Sequence, residues 1–143
     1  MEKEKNKIQV LYKPINGNAY IKEIDNDYKA MQELVGGLFE VVEMPGVKGV
    51  DLYVNEEGLI YGMPGNFWLP EYQDCVKGPC VMIGYNARTG DSKSITEKQI
   101  KECLKYINQY ELPDGTDLYR DFHALQEYMT KKYQKNLKKS MEM

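Results

Sequence analysis

Strand-like runs of apolar residues fill most of the chain up to about Ser94, interrupted by one short stretch of helical spacing, and helical spacing takes over afterwards. Ile8-Gln9-Val10-Leu11-Tyr12 is rich in β-formers and predicts a strand. Pro14 and Asn16-Gly17-Asn18 supply a turn, and Ala19–Ile24 predicts the returning strand of a hairpin. Asp25-Asn26-Asp27 offers side chains that accept from the free N–H groups of a helix start. Tyr28, Met31, Leu34, Val35 and Leu38 then recur at helical spacing, and Gly36-Gly37 ends the segment.

Leu38–Met44 predicts another strand, broken by Pro45-Gly46. Val50–Val54 alternates and predicts a half-buried strand; Asn55-Glu56-Glu57-Gly58 predicts a turn, with Leu59–Gly62 returning as the second arm of a hairpin. Met63–Pro70, with two prolines and the single tryptophan, predicts irregular structure. Cys80–Tyr85 is an apolar run bounded by Gly78-Pro79 and Asn86, as in a buried strand, and Asn86–Lys93 predicts a polar loop. Thr96-Glu97-Lys98-Gln99 matches a capping box, and Ile100, Cys103, Leu104 and Ile107 follow on one helical face. Pro113-Asp114-Gly115 predicts a stop. Leu118, Phe122, Leu125, Met129, Tyr133 and Leu137 then carry the clearest periodic signal in the chain. Strands and helices do not alternate one for one, so the order predicts an α+β fold: a small, mostly antiparallel sheet with one short helix, then two C-terminal helices. The expected organisation is an α+β unit over residues 1–112 and an amphipathic helix over 113–143 packed on it.

Composition adds limits. At 143 residues, 42% hydrophobic and 29% charged, the chain is long enough for one core without disulfide or metal staples. The net charge of -3 makes nucleic acid an unfavoured partner. No apolar run approaches the ~20 residues of a membrane helix, and no signal sequence is visible, so the expected location is the cytoplasm. Three cysteines without paired spacing predict reduced, buried thiols. Lysines 131, 132, 135, 138 and 139 gather near the end of the last helix, where cations suit the helix terminus.

The chemistry-bearing residues form no catalytic set. The single histidine, His123, has no orienting partner or nucleophile nearby in sequence, and no phosphate-binding glycine motif occurs. Glu56 and Glu57 could in principle serve a divalent metal, but between Asn55 and Gly58 they suit a turn better. Gly62–Trp68 joins flexible backbone, an amide and aromatics, the usual content of a small pocket. Five tyrosines, Tyr106, Tyr110, Tyr119, Tyr128 and Tyr133, stand in the last two helical segments, where they suit either packing or an interface. The expectation is a non-enzymatic binding protein without a cofactor, with Asn55, Glu56, Glu57, Asn66 and Trp68 as the ligand-binding residues.

Several of these segments together carry a resemblance. Ile24-Asp25, Ala30-Met31-Gln32, Leu34-Val35-Gly36-Gly37 with Glu40-Val41-Val42, Asn55-Glu56-Glu57-Gly58 with Gly62, Pro64 and Asn66, Gly78-Pro79 with Val81 to Gly84, and Ile95-Thr96-Glu97 resemble a family of unknown function found in phages and mobile elements of Gram-positive bacteria. The resemblance spans about residues 7–100, and its most specific part is the pairing of Val-Gly-Gly with Asn-Glu-Glu-Gly. The family pattern often has a basic residue after the asparagine; this chain has Phe67. The resemblance implies a phage or mobile-element setting, in which small proteins often counter host defences. The expected partner is therefore a small nucleotide-type ligand or a host protein, and a homo-oligomer stays open. The rival readings are a protein–protein inhibitor acting through the C-terminal helices and a metal-dependent enzyme using Glu56 and Glu57.

Overall fold

A computed structural model describes residues 6–58, 60–112 and 118–141. Its elements are β1 (Lys7–Lys13), β2 (Tyr20–Asp25), α1 (Tyr28–Val35), β3 (Phe39–Glu43), β4 (Val50–Asn55), β5 (Gly65–Leu69), a short 3-10 turn (Pro70–Tyr72), β6 (Asp74–Lys77), β7 (Cys80–Tyr85), β8 (Ser92–Lys93), α2 (Glu97–Tyr110) and α3 (Leu118–Met141). The main sheet runs β2-β1-β7-β4-β3, with β8 also on β7, and β5 and β6 form a separate hairpin. Every paired strand is antiparallel, so the fold is α+β as the pattern predicts.

The sheet is covered on both faces. Ile8, Val10, Val81 and Ile83 pack on Met31, Leu34 and Val35 of α1. On the opposite face Leu11, Leu52, Cys80 and Met82 meet Phe67, Trp68 and Val76 of the β5–β6 hairpin and Cys103 and Ile107 of α2, with Met129 of α3 joining the same cluster. β7 lies between β1 and β4 and is buried on both faces, which explains its unbroken apolar run. The helix starts form as their sequences dictate. Asp27 Oδ1 accepts from Ala30 N–H at 2.8 Å at the start of α1. At α2 both arms of the Thr96–Gln99 capping box are made.

Three expectations change. The smallest is that the loop expected at Asn86–Lys93 ends in the two-residue strand β8, paired to β7 because its backbone reaches the Gly84 and Tyr85 positions. Leu59–Gly62 is not a returning strand: residues 60–62 lie in turns, with Tyr61 N–H donating to the Glu57 carbonyl at 3.1 Å, and Leu59 lies outside the described residues. Local turn bonds satisfy this backbone, and β4 takes β3 and β7 as its neighbours instead. The supposedly irregular Met63–Pro70 contains β5, which pairs with a strand the pattern also missed, β6; the pairing shifts register between Gly65 and Trp68, so no simple alternation marks it. The predicted Pro113-Asp114-Gly115 stop lies outside the described residues, as do the side chains of Leu118, Phe122 and Leu125. Among the described residues no helix is long and apolar enough to cross a membrane.

Candidate functional site

The Val35-Gly36-Gly37 and Asn55–Gly58 segments meet as a piece of scaffold. Gly36 and Gly37 follow α1 with φ of 84° and 151°, conformations that favour glycine. Asn55 at the end of β4 is buried, its Nδ2 donates to the Val35 carbonyl at 3.0 Å, and its Oδ1 accepts from Glu57 N–H at 2.8 Å. One amide thus closes the exposed end of α1 and shapes the turn after β4. Gly58 lets that turn lie on β6, because a Cβ there would stand 2.8 Å from both Cβ and the carbonyl oxygen of Lys77.

Asn66 and Trp68 do not reach a surface. Trp68 is fully buried in the larger core cluster. Asn66 is only 3% exposed, and its Nδ2 donates to the Lys13 carbonyl at 3.2 Å and the Gly78 carbonyl at 3.0 Å. Both residues on β5 hold the hairpin against the sheet. An open ligand pocket built on Gly62–Trp68 is therefore corrected: folding turns this strand inward.

A cleft of about 370 Å³ does form where the sheet edge meets the β5–β6 hairpin. Glu40 and Val42 of β3 and Val54 of β4 make the sheet wall, and Leu69, Cys75 and Val76 make the hairpin wall. Asn55, Glu56, Gly58 and Ile60 close one end, and Tyr72, Asp74 and Lys77 complete the rim. Of the five residues expected to bind, the structure brings Asn55 and Glu56 to this cleft; Glu57 is beside it in sequence and does not line it. Glu40, Tyr72 and Asp74 carry no local sequence signal, because only strand register and the hairpin's fold-back place them here.

The electrostatics of this corner are acidic. Lys77 Nζ sits 2.8 Å from Asp74 Oδ1, so the cleft's one cation is already paired. Among the described residues Glu40, Glu43, Asp51 and Glu56 have no ion-pair partner. Glu43 and Asp51 stand directly opposite each other on β3 and β4. Partial burial and then the Glu43 charge hold the Asp51 carboxyl above the usual aspartate range. The Tyr72 hydroxyl is likewise raised, by burial first and then by Glu43, Glu71 and Asp51. Burial pushes the Cys75 thiol up to about 11, so it lies in the cleft wall as an apolar group rather than a nucleophile.

The other candidates fall elsewhere. Cys75, Cys80 and Cys103 are free and buried, as the sequence predicts. Among the described residues no three His, Cys, Asp or Glu side chains cluster as metal ligands, so Glu56 and Glu57 gain no third carboxylate or imidazole. Tyr106 and Tyr110 are buried, Tyr106 donating its hydroxyl to Glu71 Oε2, while Tyr128 is exposed. His123 is exposed on α3. Lys131 is paired in sequence with Glu127 at 3.2 Å, and the side chain of Lys139 lies outside the described residues.

No curated protein and no solved structure matches the chain significantly. A family model does, over residues 8–111, a span that holds every strand from β1 to β8, the cleft and α2, and stops short of α3. The chain belongs to the DUF3846 family, a domain of unknown function.

Proposed function

We propose that this protein is a non-enzymatic binding protein of a phage or mobile element that blocks a host protein, and that it grips its target through the cleft between β3–β4 and the β5–β6 hairpin. The observation that carries this reading is the cleft's composition: an apolar floor of Val42, Val54, Leu69 and Val76 under a rim where Glu40, Glu56 and Asp74 face a single lysine. Such a site suits a lysine or arginine side chain, whose aliphatic stem covers apolar surface while its charge meets the rim. It suits a nucleotide poorly, because phosphates would meet unpaired carboxylates. The burial of Tyr106 and Tyr110 takes two of the aromatics away from an interface on the C-terminal helices.

The test is calorimetry with an oligolysine peptide, beside thermal melts with a panel of cyclic and adenine-containing dinucleotides. Oligolysine binds, its affinity falls with added salt, and Glu40→Lys combined with Glu56→Lys weakens it about tenfold or more, as expected when two rim charges are reversed. A nucleotide that raises the melting temperature of a chain that ignores oligolysine overturns the reading and restores the nucleotide one.

A further inference from the structure

The cleft opens along a sheet edge that has no neighbouring strand among the described residues. β3 is the last strand of the sheet, and its backbone groups alternate between β4 and the outside. Met44 N–H donates to the Val50 carbonyl and Glu56 N–H donates to the Leu38 carbonyl. With the register Glu40↔Val54 and Val42↔Leu52, these bonds turn the main chain of Leu38, Glu40, Val42 and Met44 toward β4. The N–H and C=O groups of Phe39, Val41 and Glu43 therefore point outward. Tyr72 donates its hydroxyl to the Glu43 carbonyl at 2.9 Å and so covers one end of the edge. Among the described residues nothing else bonds the outward groups of Phe39 and Val41.

The side chains around this edge are unusually apolar for a surface. Val41 is 44% exposed on the α1 side, next to the exposed ring of Tyr28, which packs on Phe39 with ring centroids 4.8 Å apart. Leu38 is exposed at the strand's start, and the turn after β4 presents Ile60 at 75% and Tyr61 at 68% exposure. Unpaired edges of this kind are normally blunted, because they recruit other strands. Here Tyr72 covers one end and charge blunts the rest: Glu40 on the cleft side, Glu43 and Asp51 on the other. A second copy of β3 paired antiparallel about Val41 would set the Glu40 side chains of the two copies diagonally across one face, within reach of each other, so like charges oppose that pairing. A strand carrying positive charge meets no such penalty.

We infer that the β3 edge is a strand-addition site that takes an extended segment of a partner protein, with lysine or arginine alternating with apolar residues. The inference rests on the cleft reading above and adds how the partner is held. The added strand continues the sheet, its main chain bonds to Phe39 and Val41, and alternate side chains go to opposite faces. Its cations enter the cleft beside Glu40 and Glu56. Its apolar side chains cover Val41 and Tyr28.

The probe is the heptapeptide acetyl-Lys-Val-Lys-Val-Lys-Val-Lys-amide, added to the full chain. Two derivatives are N-methylated, one on the valine nitrogens and one on the internal lysine nitrogens. Strand addition predicts that one derivative binds about tenfold more weakly, since its ladder donors are gone, while the other keeps the parent affinity. The valine set is lost in an antiparallel ladder and the lysine set in a parallel one. Val41→Pro removes an outward donor without touching a bond to β4, and it weakens the parent peptide by a similar factor. In the wild-type complex the Phe39 and Val41 amides become protected from hydrogen exchange, a readout that needs no variant. Equal binding of both derivatives with unprotected Phe39 and Val41 amides overturns strand addition while leaving the cleft reading intact. Failure of the peptide and of oligolysine alike removes both. A dimer of the free chain that Val41→Pro dissociates assigns the edge to a second copy and overturns the inference as well.

Discussion

Asn66 joins three segments through one amide. It is buried on β5, and its Nδ2 reaches the carbonyls of Lys13 at the end of β1 and Gly78 after β6. Two buried acceptors therefore depend on one donor group. Asn66→Ala leaves both carbonyls unsatisfied and lowers unfolding free energy by about 2–3 kcal/mol, with Asn66→Asp worse because a carboxylate has no proton to donate and repels both oxygens. Urea unfolding reads the midpoints; an alanine variant within about 0.5 kcal/mol of wild type means the amide is not holding the hairpin. Asn55 plays the same part between α1 and the turn after β4. At this scale the sequence singled out Asn55 and Asn66 as ligand-binding residues, and the structure shows both bonded to main-chain groups. Buried asparagines and ligand-binding asparagines look alike until burial is known, and here the partners are main-chain carbonyls and, for Asn55, the Glu57 N–H as well.

Among the elements, the β3–β4 pair carries its own liability. Glu43 and Asp51 face each other across a non-hydrogen-bonded position, where side chains approach most closely. The sign of the pH effect follows from Asp51. Its folded pKa is raised, so the native state holds the proton more readily than the unfolded chain, and its contribution to stability falls as pH rises from the ordinary aspartate value of 3.8 through the raised one. Above that window the cost of burying the charge, and with it the repulsion from Glu43, is fully present. Glu43→Lys turns the pair into an attractive one and stabilises the chain at pH 7 by roughly 0.5–1 kcal/mol, a gain that shrinks as the pH falls below 3.8 and Asp51 is neutral in both states. Denaturant melts at the two pH values check this, and an equal gain at both would mean that charge is not its source.

For the whole molecule the question is what α3 adds. Met129 is 2% exposed within the larger core cluster, Tyr133 packs against that cluster, and Gln126 Nε2 donates to the Gln73 carbonyl at 3.4 Å. The family match ends at residue 111, before this helix. Met129→Ala costs about 2–4 kcal/mol if the helix is part of the cooperative unit, and a chain ending after Leu112 loses at least as much. Calorimetric melts of the two variants decide it: melting points equal to wild type for both would make α3 an independent appendage.

What the sequence determined by itself was local. Helix starts at Asp27 and Thr96 follow from side chains that cap their own first turn, the end of α1 from glycines that reach positive φ, and the burial of β7 from an apolar run too long to be half-exposed. Each of these needs only neighbours within a few residues. The β5–β6 hairpin was hidden because its register shift erases the alternation that marks a strand. The cleft was hidden for a deeper reason. Glu40, Glu56 and Asp74 lie far apart along the chain, and nothing local distinguishes them from other surface carboxylates. Strand order places β3 at the edge, register sets Glu40 facing the hairpin, and the fold-back of β6 brings Asp74 opposite. Those are long-range choices, made by burying Trp68 and its neighbours against the sheet, and the acidic corner follows from them.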